Sequence, residues 1–74
     1  MKIIKTLNLP TENRNIYTVK IRKNVFAEVM EITDKNIIYV IAVTDRNGDL
    51  ISDEINEKDV VDFVKNNINV PNNE

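Results

Sequence analysis

The sequence predicts an α+β fold, a small antiparallel β-meander of four to five strands with one C-terminal α-helix packed on one face. Residues 17–22 alternate apolar and polar side chains, and two longer apolar stretches follow after short polar breaks. Residues 57–68 carry apolar side chains at spacings of three and four, as in an amphipathic helix. The 74 residues suffice for a single domain, 1–74, with a thin core.

The first ten residues fit two interpretations. Residues 3–9 alternate Ile3, Lys5, Leu7 and Leu9 with other side chains, as in a strand, but Ile3, Ile4 and Leu7 also suit one helical turn. Pro10 ends the element in either case. We favour an extra strand in 1–10, which either extends the sheet or folds across its second face.

Tight turns separate the central strands. The breaks Lys23–Asn24 and Asp34–Lys35 have the length of hairpin loops. Asn47-Gly48 marks a third turn, because both residue types tolerate positive φ. A short fifth strand, Leu50–Ile51, is expected after it.

Two-residue hairpin loops set a register in which Val19 faces Glu28 and Met30 faces Tyr39. In this register the helix covers one face of the sheet, on which Glu28 is the single charged residue. The apolar residues of that face are Tyr17, Val19, Ile21, Phe26, Met30, Ile32, Ile37, Tyr39, Ile41 and Val43. The other face would then expose a second apolar set, as binding surfaces do. From this set we predict a protein interface: Ala27, Val29, Ile38, Val40 and Ala42. A charge at Val29 or Val40 should weaken association without unfolding the monomer.

The C-terminal helix has a recognisable beginning and end. Asn56 can cap it, and Glu57 and Asp59 in the first turn favour the positive end of the helix dipole. Pro71 stops any continuation, which predicts a frayed tail at 71–74.

The composition excludes most catalytic and metal chemistry. The chain has no histidine, no cysteine and one glycine, so nucleophile–imidazole pairs, Cys/His metal sites and phosphate-binding glycine loops are ruled out. Asp45, Asn47 and Asp49 alternate as in a calcium loop, but Leu50 and Asn56 occupy the positions of its glycine and glutamate. We expect no enzyme, no cofactor and no metal site.

No apolar run is long enough to span a membrane or to serve as a secretory signal, so a cytoplasmic protein is expected. Twelve asparagines and eleven isoleucines beside two alanines are typical of an AT-rich genome, as in phages and mobile elements. This association suggests a phage-like inhibitor or adaptor that binds a host protein.

Charge is segregated along the chain. Residues 1–24 carry six cations against one carboxylate, and residues 45–62 carry seven carboxylates against two cations. The acidic segment predicts a partner surface that could imitate a phosphate backbone: Asp49, Asp53, Glu54, Glu57 and Asp59. The leading hypothesis is a self-associating, non-enzymatic protein-interaction module, such as a homodimer. The alternative is nucleic-acid binding through the basic hairpin, Lys20, Arg22 and Lys23.

Overall fold

A computed structural model of the chain describes residues 1–68. The four strands form one antiparallel sheet in the order β1-β2-β3-β4, and the helix packs against it. This confirms the predicted α+β meander with one C-terminal helix. The predicted frayed tail, 71–74, lies outside the described residues. The elements are β1 (Lys2–Leu9), a 3-10 turn (Pro10–Glu12), β2 (Arg14–Arg22), β3 (Val25–Ile32), β4 (Ile37–Thr44) and α1 (Glu57–Ile68).

The N-terminal segment is a strand, as favoured from the sequence, and it forms an edge of the sheet. β1 pairs with β2 in antiparallel fashion, with an irregularity between Ile3 and Lys5. It therefore extends the sheet and does not fold across its second face. The predicted fifth strand is reduced to one isolated bridge between Thr44 and Leu50, supported by a bond from the Ile51 amide to the Val43 carbonyl at 3.1 Å.

The predicted register between β2 and β3 is wrong by one residue. The Lys23–Asn24 loop is correctly placed, because Arg22 pairs with Val25 across it. Asn24 adopts a left-handed conformation with φ of 64°. The register then shifts between Lys20 and Arg22, which leaves one extra residue on β2. Such a bulge changes which face the paired strand presents, because side chains alternate with period two.

The β3–β4 register is correct near the turn and shifts further along. Ile32 pairs with Ile37 and Met30 with Tyr39, as predicted, but the register shifts between Glu28 and Val29. The shift leaves one extra residue, Ile41, on β4.

The two bulges turn β3 and most of β4 over relative to the predicted arrangement. The helix side chains Val60 and Val64 pack on Ala27 and Val29, and all four are 0–1% exposed. We call this side of the sheet the covered face. Its cross-strand rows are Ile3–Val19–Ala27–Val43, Thr6–Tyr17–Val29–Val40 and Asn8–Asn15–Glu31–Ile38.

The helix begins as the sequence predicts. The Asp59 amide donates to the Asn56 side-chain oxygen at 3.1 Å, which satisfies one of the free amides of the first turn. Glu57 and Asp59 lie in that turn, and Lys65 lies in the last. Twelve residues are too few for a stable isolated helix, so α1 depends on its contact with the sheet.

Candidate functional site

The side of the sheet opposite α1 is the main candidate for function, and we call it the open face. Within residues 1–68, the single α-helix lies on the other side. The open face comprises four cross-strand rows: Leu9–Arg14–Ile32–Ile37, Leu7–Ile16–Met30–Tyr39, Lys5–Thr18–Glu28–Ala42 and Lys2–Lys20–Phe26–Thr44. The first two rows are almost entirely apolar and the last two are mostly polar.

The two apolar rows form a contiguous surface, which we call the apolar patch. Leu7, Ile37 and Tyr39 remain 41–46% exposed, which is high for large apolar side chains. The Tyr39 hydroxyl donates to the Met30 sulfur at 3.4 Å, and the Arg14 guanidinium approaches the same sulfur at 3.9 Å. The members of the patch are Leu7, Leu9, Ile16, Met30, Ile32, Ile37 and Tyr39.

Glu28 borders the apolar patch and no longer faces an apolar core. It pairs with Thr18 across the strands, and the Thr18 hydroxyl lies 3.0 Å and 3.1 Å from its two carboxylate oxygens. The carboxylate is half-exposed on the open face. The predicted misfit of Glu28 is thus a consequence of the wrong register.

A basic hollow occupies the other end of the open face. It has a volume of about 660 Å³ and lies where the β2–β3 hairpin meets the turn after β4. The two turns are joined by a bond from the Arg46 amide to the Asn24 side-chain oxygen at 3.3 Å. The lining residues are Lys20, Lys23, Asn24, Phe26, Arg46 and Asn47.

The turn that brings Arg46 to the hollow lies where the Asn-Gly sequence predicts it, but of the two residues only Gly48 has the positive φ expected for both. Gly48 has φ of +88°. Its amide donates to the Asp45 carbonyl at 3.1 Å. The Asp45 carboxylate accepts from the amides of Asn47 at 2.8 Å and Asp49 at 3.1 Å. Asp45 and Asp49 therefore stabilise a turn, as the sequence predicts.

The basic residues predicted to contact nucleic acid do not all converge. Lys20 and Lys23 line the hollow, but the Arg22 guanidinium donates to the Asp53 carboxylate at 3.4 Å and to the Glu54 carbonyl at 3.3 Å. The arginine that lines the hollow is Arg46 and not Arg22. Sequence reasoning missed Arg46 because it assigned this residue to the acidic segment.

The residues predicted as a protein interface lie mostly on the covered face. Ala27 and Val29 are 0% exposed, and Ile38 and Val40 pack against the same core. Only Ala42 lies on the open face, opposite Glu28. The premise of that interface, an apolar surface away from the helix, therefore holds for a different set of residues.

The predicted acidic partner surface lies at the surface but is spread along the chain. Asp49, Asp53, Glu54, Glu57 and Asp59 are all exposed. Asp53 pairs with Arg22, and the others extend from the turn to the start of the helix. Across residues 1–68, no group of three or more carboxylates is placed to hold a metal ion.

A polar cluster lies within the covered face. The Tyr17 hydroxyl donates to the Glu31 carboxylate at 2.7 Å, and the Asn15 amide donates to the same oxygen at 3.0 Å. Burial raises the pKa of Tyr17 to about 12, and the hydrogen bond to Glu31 and its negative charge add to the shift. These contacts satisfy a carboxylate at the edge of the core and explain its place there structurally.

No protein-family model, curated protein or solved structure matches this chain. In the described part of the chain, no helix combines the length and apolar character needed to cross a membrane. Candidate functions therefore depend on the two ends of the open face.

Proposed function

We propose that the protein is a non-enzymatic protein-interaction module that associates with a second copy of itself through the apolar patch. The observation that carries this proposal is the exposure of Leu7, Ile37 and Tyr39 on one continuous surface opposite the helix. Water-exposed apolar side chains scattered singly need no explanation, but a contiguous group on a sheet face favours burial by a partner.

The composition of the patch favours a second copy. Two copies can pack face to face about a two-fold axis that lies between the sheets and runs perpendicular to the strands. This arrangement places the row of Met30 over the partner's row of Ile32, so that apolar side chains contact apolar side chains. Arg14 is the one charged member of these two rows, and its apolar stem can cover a neighbour while its guanidinium stays in water. Glu28 and Lys20 lie in the other two rows and remain outside the contact.

The size of the patch indicates a weak contact. Two rows on four strands span about 19 Å by 14 Å at ordinary strand and residue spacings. Burying this area on both copies falls below the 1,200 Å² or so that stable interfaces require. We therefore expect a dimer in exchange with monomer, with a Kd of roughly 10 µM to 1 mM.

Sedimentation velocity over a concentration series tests self-association. The average mass should rise from 8.6 kDa towards twice that value as concentration passes through the Kd. Ile37→Lys, at a side chain 45% exposed, should keep the protein monomeric because it places a charge in the contact.

Leu50→Lys is the matched control. Leu50 is 78% exposed and lies outside the strands, so the same increase in charge should leave association unchanged. A constant mass of 8.6 kDa for the unsubstituted protein up to about 1 mM would overturn the proposal, as would equal effects of the two substitutions.

The wider biological role stays a prediction. A cytoplasmic inhibitor or adaptor of phage type, with the acidic surface as a second partner site, is supported by composition alone. Pull-down from the native host would identify such a partner, and the exposed Glu57→Gln variant would show whether the acidic surface binds it.

A further inference from the structure

We infer that the basic hollow binds a nucleotide unit, with phosphate held by Lys20, Lys23 and Arg46 and the base stacked on Phe26. This site is separate from the apolar patch, since it lies at the last row of the open face, which holds Lys20 and Phe26, and at the adjoining turns. The hollow of about 660 Å³ is within the size range of small-ligand sites.

The cations converge from three parts of the chain. Lys20 lies on β2, Lys23 in the hairpin and Arg46 in the turn after β4. As far as residues 1–68 show, no carboxylate lines the hollow. The nearby Asp45 carboxylate accepts two backbone amides within its own turn. A concave surface with three like charges attracts anions strongly, and phosphate matches the donors of lysine and arginine.

Phe26 distinguishes a nucleotide from a simple anion. It is the one aromatic side chain among the lining residues, and it is half-buried. An inorganic anion gains nothing from an aromatic ring, whereas an unpaired base stacks on one with a gain that does not depend on sequence. Tyr17 is buried in the covered face and Tyr39 belongs to the apolar patch, so neither can provide this platform.

Asn24 and Asn47 complete the site. Both residues line the hollow, and a carboxamide can donate to or accept from the edge of a base. The Asn24 oxygen already accepts from the Arg46 amide, so Asn24 contributes its NH2 group as a donor. Because stacking on Phe26 requires a base free of its complement, the hollow favours single strands or free nucleotides over duplex. These two sources share one chemistry and differ in the number of phosphates and bases presented.

Fluorescence anisotropy with a labelled oligothymidylate of eight nucleotides tests the inference. We expect binding that weakens steeply with salt, because each neutralised phosphate releases counterions. Lys20→Gln, Lys23→Gln and Arg46→Gln should each weaken binding and lower the salt slope by about 0.7. Competition with thymidine triphosphate and with the unlabelled strand identifies the source, since a free-nucleotide site is emptied by both and a strand site by the strand alone.

Phe26 variants test the base contact. Phe26→Leu should weaken binding about tenfold with no change in the salt slope, and Phe26→Tyr should restore it, because only the ring is needed for stacking. Circular dichroism checks that each variant is folded. Equal affinity of Phe26→Leu would overturn the inference, as would equal competition by inorganic polyphosphate or by duplex.

Arg22→Gln and Lys65→Gln are the matched charge controls. Arg22 pairs with Asp53 away from the hollow, and Lys65 is exposed in the last turn of α1. Both variants should bind as the unsubstituted protein does. Weakening by Arg22→Gln as large as that by Arg46→Gln would contradict the assignment and indicate general attraction to positive charge.

Discussion

The two faces of the sheet differ in how deeply their side chains are buried, although both are rich in apolar residues. On β3, Val25, Ala27 and Val29 are 0–4% exposed on the covered face. The residues that alternate with them, Phe26, Glu28 and Met30, are only half-buried on the open face. The comparison teaches that the face without a charged or flexible residue at its centre becomes the core. The number of apolar residues does not by itself distinguish the two faces.

Adjacent substitutions on β3 provide the strongest test of this difference. Val29→Lys should destabilise the fold by about 4 kcal/mol or more, because it places an unpaired charge in the core. This is close to the whole stability of a small domain, so the variant should be unfolded. The result would be opposite to the outcome expected from the sequence alone.

Met30→Lys is its neighbour and control. Met30 lies on the open face, so the unfolding free energy should change by about 1 kcal/mol or less, while the proposed self-association should be lost. Urea denaturation followed by circular dichroism measures both variants. Folded Val29→Lys together with unfolded Met30→Lys would show that the faces are reversed.

Truncation at the helix contact should have a smaller effect. Val64→Ala removes packing at a side chain that is 0% exposed and should cost about 2 kcal/mol. Ile37→Ala, at 45% exposure, should cost about 0.5 kcal/mol or less. The midpoints of urea denaturation would separate the two, and equal midpoints would contradict the assigned core.

The smallest expected effect concerns alkaline pH. The pKa of Tyr17 is about 12 in the fold, because burial and the Glu31 carboxylate disfavour the tyrosinate, and about 10 in the unfolded chain. The unfolded state therefore loses its proton first, and stability that is complete below about pH 10 is lost between about pH 10 and 12.

Tyr17→Phe removes this ionisation. The difference in unfolding free energy between the unsubstituted protein and Tyr17→Phe should shrink by on the order of 1–2 kcal/mol over that interval. Denaturation at a series of pH values measures the difference. Parallel profiles for the two proteins would show that the Tyr17 hydroxyl does not titrate differently in the fold.

Local patterns were sufficient to predict the four strands and the helix but not their relative placement. The alternation in β2, the position of the Asn47-Gly48 turn and the Asn56 cap each depend on neighbouring residues, and each is confirmed. The bulges beside Lys20 and at Ile41 have no local signature, yet each shifts a register by one residue. The one indication of a wrong register in the sequence was the placement of the Glu28 carboxylate on the predicted apolar face.

The basic hollow shows the same limit at the level of function. Lys20 and Lys23 are close in sequence and were predicted together, whereas Arg46 reaches them only because the fourth strand returns beside the hairpin. Arg22, although adjacent to Lys23, is directed to Asp53. Contacts across the sheet therefore decide which charges act together.

The edge strand β1 affects how copies of the protein can assemble. An unpaired strand edge invites another chain to add to it, which leads to open-ended aggregates. Here the edge carries Lys2 and Lys5, and the irregularity after Ile3 interrupts its regular hydrogen-bonding pattern. Lysine and bulges both oppose strand addition. Growth of fibrils from the β1 edge is therefore disfavoured. Association through the open face alone would stop at a dimer.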